Sequence, residues 1–193
     1  DGVWLRYHEN GQLREISHYN KGKLDGVRIS LSKRGKLNEQ EFFKEGKHHG
    51  RQLYFHDNGK VSIDVFYLLG FRHGSYFKYY RNGKTQETVL YDNDLKDGFA
   101  TWYYDNEMIS IQYKYDMGNI VDTAFAYYKT GDLKSRSLYK NNELNGEKIV
   151  FYPSGVVKEK GSFIDGKKHA NWCFYDSLGV ETECVRFKMG IEK

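Results

Sequence analysis

Apolar and polar residues alternate in short runs along this chain, and the runs come in pairs that recur every 24 residues. The first pair is Val3-Trp4-Leu5-Arg6-Tyr7-His8 and Gln12 to Tyr19, joined by Glu9-Asn10-Gly11. Alternation over this length is the signature of a half-buried strand, and Asn-Gly between two such runs is a strong hairpin signal. The same turn recurs as Asn58-Gly59 and Asn82-Gly83, with Arg34-Gly35, Thr130-Gly131, Ser154-Gly155 and Leu178-Gly179 as variants. Eight blocks stack without insertion or deletion: 1–24, 25–48, 49–72, 73–96, 97–120, 121–144, 145–168 and 169–192. A fixed period of this length means a stacked array in which each unit touches mainly its neighbours. The pattern predicts an all-β chain of eight hairpins in one elongated, twisted, single-layer antiparallel sheet over 1–193. Sixteen strands about 4.8 Å apart would run roughly 75 Å before twist shortens them.

The apolar columns are block positions 5, 7, 13 and 19; position 19 is aromatic in every block, from Tyr19 to Phe187. All four are odd. A three-residue loop at positions 9 to 11, with the glycine left-handed, pairs 7 with 13 and 5 with 15 and keeps the four columns on one face. On that register Tyr79, Tyr103, Tyr127 and Phe151, with Tyr91, Tyr115, Tyr139 and Phe163, are the expected core. Position 8 then falls on the opposite face. Its tyrosines Tyr80, Tyr104, Tyr128 and Tyr152 form a ladder there, together with Tyr76 and Trp102.

Composition sharpens this picture in a few places. Glycine falls mostly in fixed turn columns, which makes it turn punctuation and not linker. No apolar run approaches the ~18 residues of a membrane-spanning helix. The net charge of +4 is small against 30 basic and 26 acidic side chains, so no basic stripe marks a nucleic-acid binder. Block five is the outlier: Asp97, Asp105, Glu107 and Asp116 oppose only Lys114. Cys173 and Cys184 fall at positions 5 and 16, on opposite faces in the preferred register, which argues against a disulfide between them. Histidines 49, 73 and 169 share position 1, next to the junction glycine, and read as turn caps. No nucleophile–base set or metal-ligand spacing stands out, so no catalytic residue, metal or cofactor is expected.

The segments Phe55-His56-Asp57-Asn58-Gly59-Lys60-Val61 and Tyr79-Tyr80-Arg81-Asn82-Gly83-Lys84 resemble the variant form of the MORN repeat, and the resemblance extends over the whole chain. Strings of this variant are similar to the YwqK-type antitoxin family of bacteria. The resemblance implies a cytoplasmic, non-enzymatic immunity protein that binds a secreted polymorphic toxin through the toxin's basic active cleft. It implies no specific nucleic-acid partner. A structural scaffold or surface-exposed array is the alternative, as the chain starts at the first position of a repeat and so fits a removed leader or a longer protein. A weak nucleic-acid or anionic-lipid binder is a third reading. Blocks five and six depart from the repeat, with Glu107 in place of the turn glycine and Asp122 in place of the junction glycine. The expected partner surface therefore comprises Tyr80, Trp102, Tyr104, Asp105, Glu107, Asp122 and Tyr128.

Overall fold

The computed structural model describes residues 1–193, and every regular element in it is a β-strand. The chain forms two compact units, Asp1–Leu95 and Lys96–Lys193. Within each, consecutive strands pair antiparallel and no second layer covers them. The first unit runs Gly2–Tyr7, Leu13–Asn20, Lys23–Leu31, Leu37–Lys44, Lys47–His48 with Gly50–Phe55, Val61–Leu68, Phe71–Tyr79 and Thr85–Asp92. From Ile109–Asp116 to Glu181–Lys188 the second unit repeats the same meander.

Two turns per repeat account for the period. In the first, the Gly11 N–H donates to the His8 carbonyl at 2.9 Å and the His8 N–H to the Gln12 carbonyl at 2.8 Å, closing the three-residue loop the sequence predicts. The second is a two-residue turn at positions 21 and 22, from Lys21-Gly22 to Met189-Gly190. Both residues have positive φ in all eight repeats, the conformation that matches the twist of the flanking strands.

The register differs from expectation just beyond the loop. Tyr7 faces Leu13 as predicted, but Arg6 faces Glu15 and Leu5 faces Ile16, because residue 14 is an extra residue in its strand. The same shift recurs in every hairpin, for example between Trp102 and Tyr103. A bulge reverses the in–out alternation beyond it. Positions 5 and 7 therefore share one face with 3, 16 and 18, and position 19 lies on the other with 4, 6, 15 and 17.

This second face is the more buried one. Directly opposed positions 4 and 17 form its central row, which includes Ser17, Glu41, Gln52, Val65 and Val89 in the first unit and Ala100, Ala124, Ser137, Gly161 and Trp172 in the second, all buried. Of the expected core residues only Tyr91 is buried; Tyr115, Tyr139 and Phe163 on its face are half-buried, and Tyr79, Tyr103, Tyr127 and Phe151 at position 7 are half-buried on the opposite face.

One further reading is corrected. Cys173 and Cys184 face each other across the strands and are joined as a disulfide; the bulge turns position 16 onto the face of position 5. The strand paired with Leu37–Lys44 is interrupted at His49, where the Gln52 side chain enters the ladder. Its Oε1 accepts from the Phe42 N–H at 2.7 Å and its Nε2 donates to the Phe42 carbonyl at 2.9 Å. A short strand, Ile191–Glu192, adds to the sixteen expected.

Candidate functional site

Most of the sequence-predicted residues gather at the loop end of the second unit. Tyr104 opens the loop 104–108, where the Glu107 N–H donates to the Tyr104 carbonyl at 3.0 Å. Glu107 keeps the left-handed conformation of the glycine it replaces, at φ 72°, at a cost on the order of 1 kcal/mol. The loop does not reshape itself around the substitution. Asp105 pairs with Lys129 of the next loop at 2.6 Å.

The tyrosine ladder proves to be a rail between repeats. The Tyr104 hydroxyl donates to the Tyr127 carbonyl at 2.8 Å, Tyr128 to Phe151 at 2.7 Å and Tyr152 to Tyr175 at 2.9 Å. In the first unit His8 and His56 meet the Leu31 and Tyr79 carbonyls in the same way, each at 2.9 Å. Asn10, Asn58 and Asn106 form a parallel rail one step further out, each reaching a carbonyl of the following loop. These residues first fix the spacing of the loops; what remains for a partner is the outer part of each ring and the loop acids. Lys134 and Lys158 stand over the rings of Tyr128 and Tyr152, both at 5.7 Å.

Trp102 is placed differently from the prediction. It lies on the more buried face, edge-on to Tyr113 at 6.0 Å with the Lys96 ammonium 5.0 Å above it, and so shares the face of the position-19 aromatics. Asp122 is not part of the loop cluster either. It faces Tyr139 near the other end of its strand, six residues or roughly 20 Å from Tyr128. Its carboxylate accepts from the Thr123 N–H and pairs with Lys114 at 3.3 Å, which holds it below the usual carboxylate range. Tyr80 belongs to the first unit and opens its 80–84 loop. The structure thus brings Tyr104, Asp105, Glu107 and Tyr128 together and sets Trp102 and Asp122 apart from them.

The histidines mostly have structural partners. The His49 ring accepts from the Leu69 N–H at 3.4 Å, the same turn-capping contact that Asp25 and Asp97 make from position 1. His73 Nδ1 lies 3.1 Å from Asp92, and the ring of His48 packs between Phe43 and Tyr67. Cys173, Glu181 and Cys184 form a three-donor cluster, but both thiols are committed to the disulfide.

What sequence reasoning missed is a partly buried polar network in the first unit. Arg28 reaches Glu41 at 3.3 Å, Glu15 at 3.6 Å and Glu39 at 3.9 Å, and the Tyr54 hydroxyl donates to Glu41 at 3.3 Å. Burial, reinforced by Glu41, pushes the Tyr54 phenol far above its ordinary range. Burial likewise pushes Tyr76, near Glu87, up to about 12. The signal was present in positions 4 and 17, where charges stand in a column that is otherwise small or apolar, but only the bulge reveals that these positions point inward.

With this geometry in view, the comparisons with known proteins are informative about family and silent on partner. The MORN repeat variant matches residues 1–21, 49–68, 72–93, 123–141 and 144–165, together more than half of the sequence. The chain belongs to the MORN repeat variant family. No curated protein matches it. Among solved structures, an alternansucrase in complex with isomaltononaose aligns over all of this chain and 18% of its own length, at 16% identity and a TM-score of 0.22. This chain therefore spans less than a fifth of that protein, and the likeness is too low to carry an argument.

Proposed function

We propose that this MORN repeat chain is a non-catalytic protein-binding module and, in its most specific form, an antitoxin that neutralises a cognate toxin by covering a basic cleft. Repeat arrays offer a regular surface on which departures from the consensus encode a partner. The observation that carries the reading is Glu107, an acid held at an exposed loop tip in a backbone conformation that glycine would adopt without strain. Asp105 and the outer rings of Tyr104 and Tyr128 flank it, a mixture suited to a basic partner.

The test is direct binding to a toxin encoded beside this chain, with co-expression scored for rescue of growth. Glu107→Lys is expected to slow association and to reduce its salt dependence, since a loop-tip charge acts by steering. Trp102 lies on the other face, edge-on to Tyr113, so Trp102→Ala is expected to act on the melting temperature and not directly on binding. Unchanged association by Glu107→Lys, with a verified partner, would remove this surface from the proposal.

One observation favours the second reading, an exported or surface-exposed array. Disulfides persist mainly in oxidising compartments, and Cys173–Cys184 is a disulfide. Thiol labelling of the protein isolated from its own cells decides between the compartments: a labelled pair supports a cytoplasmic antitoxin, and a blocked pair supports export.

A further inference from the structure

The turn row of the first unit carries an apolar departure from the repeat that the loop surface does not use. At positions 20 to 23 the first two repeats read Asn20-Lys21-Gly22-Lys23 and Lys44-Glu45-Gly46-Lys47, but the third reads Leu68-Leu69-Gly70-Phe71. Leu69 sits at φ 50°, a left-handed position that Asn or Gly fills with less strain. Leu69 and Phe71 are both 51% exposed, and Phe66 and Leu90 on the same face are 41% and 45% exposed. Isolated exposed apolar residues are ordinary, but a contiguous group at a strained turn points to a contact surface.

Two open clefts lie on this face. One, of about 430 Å³, is lined by Phe42, Gly50 and Lys44; the next, of about 350 Å³, by Phe66, Gly74 and Phe77. Each is floored by a junction glycine and walled by a phenylalanine at position 18. Phe42 and Phe66 are two strands apart, about 10 Å. An extended strand does not present neighbouring side chains on one face at that spacing, because its alternate residues recur at roughly 6.6 and 13 Å. A helix does: residues i and i+7 are about 10.5 Å apart and nearly on one line. On the side of repeats one and two, Lys21, Lys23, Lys44 and Lys47 make no ion pair and outnumber the acids at these turns, Glu45 and the capping Asp1 and Asp25.

We propose that this face of the first unit docks an acidic amphipathic helix of a partner protein. Its apolar anchors at i and i+7 would enter the Phe42 and Phe66 clefts, the Leu69–Phe71 turn would close over the anchor at the Phe66 end, and its carboxylates would meet the lysine turns. The surface is separate from the Glu107 loop and does not depend on the function proposed for it.

The experiment uses the full chain and a fluorescent synthetic peptide of about five helical turns, with leucines at i, i+3, i+4 and i+7 and glutamates on its flanks. The expected result is saturable binding, weakened at least tenfold by Phe66→Ser and at least threefold by Leu69→Asn. The double variant Lys44→Glu, Lys47→Glu should weaken binding and flatten its salt dependence. Leu69→Asn suits the turn, so its melting temperature should hold or rise, and a loss of binding there cannot be a loss of fold. Equal binding of a peptide with the same composition and scrambled anchors would overturn the proposal, as would absence of binding. Vesicles of phosphatidylserine and phosphatidylcholine are the second arm: capture by vesicles that Leu69→Asn abolishes, with no peptide binding, would assign the face to a lipid surface and overturn the helix.

Discussion

The two units share one backbone plan and fill its central row with different chemistry. In the first, positions 4 and 17 hold Ser17, Arg28, Glu41 and Gln52, a hydrogen-bonded and charged stretch, bordered by Trp4 on one side and by Val65, Tyr76 and Val89 on the other. In the second, small residues stand beside large ones: Ala100 and Ala124 flank Tyr113, and Gly161 lies beneath Trp172, with Ser137 and Lys148 between the two groups. Turn chemistry and hairpin pairing therefore define the array, and the row between the strands tolerates either a polar network or a size-complementary stack. Both solve the same problem, that a single layer must exclude water from one face without a second layer to cover it. The polar row demands that every group find a partner; the stacked row demands matched volumes.

The largest effect should come from breaking the stack. Trp172 is buried to 2% exposure, and Trp172→Ala is expected to cost about 3–5 kcal/mol. Gly161→Val should act in the same direction, because even a β-carbon there would overlap the indole. Denaturant titration with hydrogen exchange resolved by segment would check this, with opening centred on 157–175. Reducing Cys173–Cys184, which closes a short loop at the same end, should remove roughly 2–3 kcal/mol by unfolded-state entropy. Exchange protection should fall over 169–188 and stay unchanged in residues 1–95.

Breaking the polar row should cost less, because its cation is partly solvated. Arg28→Ala leaves Glu15 and Glu41 without their counter-charge, and a loss of about 1–3 kcal/mol is expected after allowing for the exposed part of the guanidinium. If Arg28→Met is instead neutral, the row is held by packing and not by charge.

Alkali sharpens the comparison without mutation. Burial raises Tyr54, Tyr67, Tyr76, Tyr79 and Tyr91 in the first unit and Tyr139 in the second. A phenol raised by folding holds its proton in the native state while the unfolded chain loses it near pH 10. Its stabilising contribution is thus intact below pH 10 and is lost as pH rises toward about 12, the value for Tyr76. The first unit should therefore lose exchange protection before the second between pH 10 and 12, and Tyr76→Phe should narrow the gap. The smallest effect is expected on the rail: Tyr104→Phe removes one hydrogen bond to the Tyr127 carbonyl, worth about 0.5–1.5 kcal/mol. It should leave the loop acids in place, which makes it a control for partner binding.

The repeat, the all-β class and the three-residue loop were legible from residues alone, because each rests on local chemistry. Asn-Gly and Lys-Gly pairs favour positive φ wherever they stand, and a strict period carries that preference through all eight copies. The loop cluster around Glu107 was legible for the same reason, as a departure from a local rule. What the sequence could not reveal was which side chains share a face beyond the loop. Residue 14 of each repeat is extra only in relation to its partner strand, so the parity reversal exists only once two strands pair. From that reversal follow the disulfide, the inward Trp102, the separation of Asp122 from Tyr128 and the partly buried Arg28 network. Periodicity along one chain determined the elements, and the pairing of chains across the sheet decided which face each residue serves.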